Sequence, residues 1–334
     1  MRRIRKLALV SLLGTALLAL VGELAVRTFG RCMVYERDDV LGWRPKADFS
    51  AHLTARDQAG RAYAVDYSAG PYGFRAFGDA SGQRERVLFV GDSFTGDPNT
   101  SNAEAYFGVV AERLPVEVFA IGGSGYGTLQ ELLLVRQLAD VVKPDVFVLQ
   151  YCPNDLSDNS FAIESRMSHV RNQKNLRPYL VGDAIVFRLP KHHPYLLLYE
   201  NSRLFRKLDF ELMVLQFALD SRSTAPRDAE ALAAERAAAV ALTTDLVAKI
   251  AAAMPRGTQR ITFSCDTSSR EETETWQAIA RAAGFEAAAS VSGNVEAAER
   301  SGQAVRLADG MHWNRLGNRI AGEELARVIA AHGS

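Results

Sequence analysis

The sequence predicts an α/β protein in which helices cover both faces of a mostly parallel sheet. From residue 86 onward, short apolar runs alternate with longer segments of helical periodicity, which is typical of a doubly wound α/β domain. The apolar runs are nearly continuous, as in strands that are buried on both faces. The chain has 334 residues, of which 48% are apolar, enough for a large core in one domain or for two smaller domains.

The elements follow in chain order. Strands are predicted at residues 86–91, 116–122, 145–151 and 260–265, with a short strand at 305–307. Helices are predicted at residues 103–114, 128–142, 227–254 and 271–283. Thr128 and Glu131 have the spacing of a capping box at the start of the second helix. Asn314 is a favourable N-cap residue for the final helix.

Residues 1–29 differ from the rest of the chain. A basic flank consists of Arg2, Arg3, Arg5 and Lys6. The apolar run that follows extends to Val26, which is about the length that spans a bilayer. This pattern is typical of both a cleaved signal peptide and an uncleaved signal anchor. The absence of a clean small-x-small site directly after the run favours the anchor. In both cases the basic flank stays in the cytoplasm, and the body is exported to the periplasmic or extracellular side.

Two further segments depart from the strand–helix alternation. Residues 30–85 carry Gly, Pro and aromatic residues at turn-like spacing, which predicts short strands and turns that pack on the edge of the main domain, residues 86–334. Residues 157–224 interrupt that domain and are predicted to be an insertion with one or two helices, either a lid or a substrate-facing subdomain.

Charge and cysteine content exclude some classes of function. Lys plus Arg and Asp plus Glu both number 39, so the net charge is zero, and no basic stripe indicates nucleic-acid binding. Cys32, Cys152 and Cys265 include no CxxC pair, which disfavours a thiolate metal site. Buried free thiols are expected, and one disulfide is the alternative.

Candidate catalytic residues lie at the carboxyl ends of the predicted strands, where open α/β sheets place their active sites. Ser93 follows the first strand and is a candidate nucleophile; a turn or cap serine is the alternative. His312 is a candidate base, because Asp309 three residues earlier can orient its imidazole. An ordinary loop histidine and a helix-leading aspartate would have the same spacing.

Two further strand ends offer candidate oxyanion donors. The glycine-rich loop 121–128 provides backbone N–H groups, and Asn154 provides a side-chain amide, although each stretch is also typical of a tight turn. The loop does not fit a dinucleotide fingerprint, because Thr128 stands where the last glycine is needed. It does not fit the G-x-S-x-G elbow either, because Tyr126 occupies the final position.

Taken together, the order of these motifs resembles the SGNH (GDSL-type) hydrolase superfamily over roughly residues 85–331. The stretches LGWRPK (41–46) and GPYGFRA (70–76) also resemble its membrane-anchored bacterial members. The resemblance implies a flavodoxin-like, three-layer α/β/α sandwich. It implies that Ser93 is the nucleophile, that His312 and Asp309 complete the triad, and that the Ser93 amide, Gly125 and Asn154 form the oxyanion hole. Two positions depart from the family pattern: Cys152 replaces a glycine and Ala120 replaces an asparagine.

The function that the resemblance implies is hydrolysis of short acyl esters, with an envelope or extracellular polysaccharide as one substrate class. The alternative is transfer of the acyl group to a sugar hydroxyl by the same triad, as in polysaccharide O-acetyltransferases. A non-catalytic carbohydrate-binding module is a third hypothesis, which the complete set of triad residues disfavours. No metal or organic cofactor is implied. The expected partners are an acyl ester, such as an acylated glycan, and the membrane.

Overall fold

The computed structural model describes residues 2–30, 33–165, 175–220 and 229–331. Its strands are β1 (Tyr35–Asp38), β2 (Gly42–Pro45), β3 (Phe49–Arg56), β4 (Ala62–Ala69), β5 (Ala76–Phe77), β6 (Arg86–Gly91), β7 (Glu117–Gly122), β8 (Val146–Tyr151), β9 (Pro178–Val181), β10 (Ala184–Phe187), β11 (Gln259–Ser264) and β12 (Glu286–Ala287).

Helices connect and flank these strands. They are α1 (Arg2–Phe29), α2 (Ser93–Gly96), α3 (Tyr106–Arg113), α4 (Thr128–Val142), α5 (Asp155–Asn159), α6 (Phe161–Glu164), α7 (Pro194–Asn201), α8 (Arg203–Asp220), α9 (Ala229–Ala253), α10 (Arg270–Ala282), α11 (Ser290–Arg300) and α12 (Arg315–Ala330). A short 3₁₀ turn at Pro71–Gly73 precedes β5.

The central sheet has six strands in the order β12-β11-β8-β6-β7-β5. All neighbouring pairs are parallel except β5 with β7. Alternate residues of β6 enter opposite cores: Leu88 and Val90 pack with α4 and α9, whereas Val87 and Phe89 pack with α3, α11 and α12. The predicted three-layer α/β/α fold is therefore confirmed, since two apolar cores lie on the two faces of one mostly parallel sheet.

Residues 33–85 contribute two antiparallel hairpins, β1–β2 and β3–β4, and the edge strand β5. The hairpin β1–β2 lies close to the glycine-rich loop, because the buried side chain of Trp43 donates from Nε1 to the carbonyl of Ser124 at 3.1 Å. Residues 33–85 therefore contact the sheet in two places: β1–β2 packs at the carboxyl ends of the strands, and β5 pairs with β7.

The insertion contains more structure than its sequence predicts. Its described part holds α5, α6, the antiparallel hairpin β9–β10, and helices α7 and α8. The residues 166–174 and 221–224 lie outside the described residues. The hairpin was missed because its strands are short and carry no strict alternation of apolar and polar residues.

Two local predictions are wrong. Helix α4 is capped by Gly127, whose N–H donates to Oε1 of Gln130 at 3.2 Å, and not by a box of Thr128 and Glu131. Thr128 is already helical and its hydroxyl donates to buried Asp155. The predicted strand at residues 305–307 is replaced by isolated bridges, because its backbone pairs with Asp57 and Trp313 and not with a strand of the central sheet. The final helix is capped by Asn314 as predicted, through N–H groups of the first helical turn.

Cys152 and Cys265 form a disulfide, so the expectation of buried free thiols is wrong for this pair. The two cysteines follow the adjacent parallel strands β8 and β11, and their Cα atoms are 5.1 Å apart. The pairing is a consequence of strand order, which brings together residues 113 positions apart in sequence. Cys32 lies outside the described residues.

The disulfide is expected to stabilise the fold strongly, because it closes a long loop in the unfolded chain. Replacing both Cys152 and Cys265 with serine should lower the free energy of unfolding by about 2–5 kcal/mol. Denaturant unfolding of the two proteins, with and without a reducing phosphine, measures this difference. Reduction should destabilise the wild-type protein and leave the double variant unchanged; equal stabilities of the oxidised wild type and the variant would contradict the expectation.

Candidate active site

Ser93 is the first residue of the short helix α2, directly after β6. The preceding Asp92 caps this helix, and its carboxylate accepts from the Phe94 N–H at 3.0 Å. Gly91 admits no larger residue, since a Cβ atom there would lie 2.5 Å from the side chains of Gln150 and Thr95. The acid and the glycine before Ser93 thus make the tight turn that presents its hydroxyl at the carboxyl edge of the sheet.

His312 lies in the loop that leads into α12, and Asp309 organises this loop. One oxygen of the Asp309 carboxylate accepts from the backbone N–H groups of Met311 and His312, at 2.9 and 3.0 Å. The other oxygen accepts from Nδ1 of His312 at 2.7 Å. Because the carboxylate only accepts, Nδ1 carries the proton and Nε2 is left as the acceptor.

The structure brings the three predicted triad side chains together. Nε2 of His312 is 2.8 Å from Oγ of Ser93, although the two residues are 219 positions apart in sequence. The ring of Phe94 packs on the imidazole with centroids 4.9 Å apart. The hydroxyl, imidazole and carboxylate therefore form one continuous chain of hydrogen bonds.

The electrostatics of these hydrogen-bonded groups stabilise the imidazole of His312 when it is protonated. Burial lowers the pKa of His312, but the hydrogen bond to Asp309 and the charges of Asp97, Asp309 and Asp92 outweigh it and raise the pKa above the ordinary value of histidine. Burial raises the pKa of Asp309, and the bonds from His312 and Met311 outweigh that effect and lower the pKa to about 2. Asp309 is therefore ionised at neutral pH and can stabilise an imidazolium.

Gly125 and Asn154 supply the two other predicted donors. Gly125 has φ +73°, a left-handed conformation that favours glycine. Within the described part of the chain, the Gly125 N–H donates to no protein acceptor. The amide nitrogen of Asn154 donates one hydrogen to Asp158 at 2.9 Å, which leaves its second hydrogen for another acceptor.

Several residues around the glycine-rich loop 121–128, called the donor loop because it carries Gly125, were not found from the sequence. The Tyr35 hydroxyl accepts from the Ser124 N–H at 3.0 Å and donates to the Gly96 carbonyl at 2.8 Å, so it joins the donor loop to the end of α2. Buried Arg177 donates to the Gly125 carbonyl at 2.7 Å. No local pattern marks these residues, because their burial arises only when the hairpin β1–β2 and the insertion pack on the sheet edge.

Buried carboxyl groups lie beneath the same edge. Burial raises the pKa of Asp92, Glu131 and Asp155 above their usual range, and repulsion among these acids and Asp158 raises it further. Neither oxygen of the Glu131 carboxyl has a hydrogen-bond partner among the described residues. A protonated form of this group is expected at neutral pH, since an isolated buried carboxylate is strongly unfavourable.

No protein-family model and no curated protein matches the chain. Among solved structures, it is similar to TesA, with 13% identity and a TM-score of 0.43, over 74% of this chain and 99% of TesA. It is also similar to a lipase/acylhydrolase from Enterococcus faecalis, with 14% identity and a TM-score of 0.42, over 74% of this chain and 96% of that protein. The acetylxylan esterase Axe2 from Geobacillus stearothermophilus matches at 14% identity and a TM-score of 0.38, over 75% of this chain and 96% of Axe2.

Proposed function

We propose that the protein is a serine esterase that hydrolyses acyl esters through an acyl-serine intermediate. The observation that carries this proposal is the chain of hydrogen bonds from Ser93 through His312 to Asp309. A serine hydroxyl needs an adjacent base to become a nucleophile, and the base needs a group that fixes its tautomer. A turn serine or a carbohydrate-binding surface requires neither.

The reaction follows from these contacts. His312 takes the proton of Ser93 as Oγ attacks the ester carbonyl, and the ionised Asp309 stabilises the imidazolium. The Ser93 and Gly125 N–H groups and the Asn154 amide are the proposed donors to the oxyanion. His312 then protonates the departing alkoxide, and a water molecule, deprotonated by His312, releases the acid and regenerates the serine.

The first experiment measures turnover of a short-chain aryl acetate together with labelling by a serine-directed phosphonate. We expect a burst of aryl alcohol and a single phosphonylated residue, Ser93, located by mass spectrometry. No turnover and no labelling of Ser93 would overturn the proposal and favour a binding module.

The nature of the acceptor is a separate part of the proposal. We infer that water is the acceptor and that the acyl ester belongs to an envelope or extracellular polysaccharide. The same acyl-enzyme would serve transfer to a sugar hydroxyl. Product analysis with an acetylated donor and an unacetylated glycan tests this part: free acetate alone supports hydrolysis, whereas an acetylated glycan identifies a transferase.

Loss of a single oxyanion donor should slow the reaction without abolishing it. Asn154→Ala is expected to lower kcat by about 100- to 1,000-fold. The triad does not contact this amide directly, so the phosphonate should still label Ser93, although more slowly. Steady-state kinetics and the labelling rate measure both effects. An unchanged kcat would exclude Asn154 from the oxyanion hole.

The location of the catalytic domain is proposed from two features. Helix α1 includes a 27-residue stretch, Arg3–Phe29, that is long and apolar enough to cross a membrane, which suits either an anchor or a signal sequence. Disulfides such as Cys152–Cys265 persist mainly in oxidising compartments. We infer that the basic N-terminus is cytoplasmic and that the catalytic domain lies on the exported side.

Contacts of α1 with the body favour a retained anchor. The carboxylate of Glu23 accepts from the backbone N–H groups of Arg203 and Leu204, at 3.0 and 2.9 Å, and thereby caps α8. Arg27 donates to the Asn201 carbonyl at 2.8 Å. We expect the mature protein to keep α1, which N-terminal sequencing of membrane-extracted protein measures. A mature chain that begins after Arg27 would identify a cleaved signal.

A further inference from the structure

Arg177 is a charged residue inside the insertion that is almost completely buried, with 1% of its surface exposed. It immediately precedes β9 and lies over the ring of Trp43, with 5.3 Å between the guanidinium carbon and the ring centroid. Its Nε is 3.0 Å from the buried carboxylate of Glu164. A buried guanidinium is costly unless its hydrogens are paired, so the identity of its other partners is informative.

One branch of the guanidinium fixes the donor loop. Nη1 of Arg177 donates to the carbonyl of Gly125 at 2.7 Å and to Oε1 of Gln130 at 2.8 Å. The Gly125 N–H shares a planar peptide with the Ser124 carbonyl, which accepts from Trp43. The peptides on both sides of Gly125 are therefore held, and the direction of its N–H group is set.

The other branch acts toward Asn154. Nη2 of Arg177 forms an ion pair with one oxygen of Asp158 at 3.2 Å, without hydrogen-bond geometry, and the second oxygen of Asp158 accepts from the Asn154 amide at 2.9 Å. Holding one hydrogen of this amide fixes the direction of the other. One branch of the guanidinium thus contacts the carbonyl of Gly125, and the other faces Asp158, the partner of the Asn154 amide.

We propose that Arg177 is a positioning residue that sets the geometry of the oxyanion hole by holding the Gly125 carbonyl directly and the Asn154 amide through Asp158. This inference rests on the esterase function proposed above. The proposal also gives the insertion a role, because the insertion supplies Arg177, which holds the groups that position the proposed oxyanion donors. Lysine cannot replace it, because an ammonium lacks the planar fork that serves two directions.

The test compares wild-type protein, Arg177→Lys, Asn154→Ala and the double variant on an aryl acetate. Arg177→Lys should lower kcat by roughly 100-fold, similar to the loss of an oxyanion donor, with little change in KM. Titration with the phosphonate should reach the same number of labelled sites at a slower rate. The midpoint of the pH profile should stay unchanged, since Arg177 does not contact the triad. A merely structural role would lower the fraction of active sites and leave the rate per site intact.

The double variant tests the path of the effect. If Arg177 acts in part through Asn154, the loss in the double variant is smaller than the product of the two single losses. Multiplicative losses, together with an unchanged labelling rate in Arg177→Lys, would overturn the inference while leaving the esterase function intact. An inactive wild-type protein that is not labelled at Ser93 would overturn both.

A matched control and a second variant keep the result interpretable. Arg86 is a partly buried arginine at the start of β6, at the opposite end of the strand from Ser93, where it pairs with Asp145 and donates to the Ala80 carbonyl. Arg86→Lys should lower the melting temperature and leave the rate per labelled site unchanged. If Arg177→Lys does not fold, Asp158→Asn removes the charge that Arg177 faces, and it should lower kcat with KM nearly constant. A wild-type kcat in Asp158→Asn would count against the coupling.

Discussion

Replacing Ser93 with alanine should abolish ester hydrolysis, with a loss in kcat of roughly 10⁵- to 10⁶-fold. The substitution removes the oxygen that would bond to the acyl carbon, and among the described residues Nε2 of His312 has no other hydrogen-bond partner. The fold should be unaffected, because Asp92 caps α2 through the N–H of Phe94. Single-turnover kinetics and intact mass after phosphonate treatment measure the loss of the burst and of the label.

Ser269→Ala is a matched control for Ser93→Ala. Ser269 also stands at the start of a helix, where it caps α10 by accepting from the Glu272 N–H. Its replacement should lower the free energy of unfolding by about 1 kcal/mol and leave the burst unchanged. Burst kinetics that persist in Ser93→Ala would show that another residue is the nucleophile.

Asp309→Asn should lower kcat by about 10⁴-fold and move the pH profile to lower pH. In the wild-type protein, kcat/KM should rise with pH and level off above the pKa of His312, because only the neutral imidazole can accept the serine proton. Burial lowers that pKa, but the hydrogen bond to Asp309 and the nearby carboxylates raise it by more, so it lies above the ordinary value of histidine. Without the carboxylate of Asp309, the lowering effect of burial remains and the midpoint falls.

The pH profiles of kcat/KM for the two proteins measure this shift. Asp79→Asn is a suitable control, since Asp79 likewise accepts from a backbone N–H two residues later, but in a turn outside the site. It should change neither the plateau nor the midpoint. A midpoint that rises in Asp309→Asn, or a plateau within tenfold of the wild type, would contradict the proposed role of the carboxylate.

The local pattern of the sequence predicts the main sheet well for a physical reason. Strands β6 and β8 are apolar runs that need both faces covered, and this requirement is visible in a few consecutive residues. The N-cap at Asn314 is similarly local, since its oxygen bonds to N–H groups two and three residues later. Ser93, Asp309 and His312 could be named because each has a recognisable neighbourhood and because the order of the motifs resembles one superfamily.

Other features depend on which distant segments meet. The strand order β11-β8 creates the disulfide, and no local pattern distinguishes its cysteines from free thiols. The cap of α4 is formed by Gly127 because Thr128 is drawn into the buried edge by Asp155. The segment 305–307 is as apolar as a short strand, but its bridges pair it with Asp57 and Trp313 and not with a strand of the central sheet.

By itself, the sequence determined the layered α/β fold, the apolar N-terminal helix and the residues for the proposed nucleophile, base, orienting acid and oxyanion donors. Only the tertiary structure decided how the proposed donors are held. Arg177 lies in an insertion without clear periodicity, and it contacts Gly125 and Asp158, which are 52 and 19 positions away in the sequence. The physical reason is that burial and pairing of a charged side chain depend on packing between separate elements, whereas strand and helix patterns depend on neighbours along the chain.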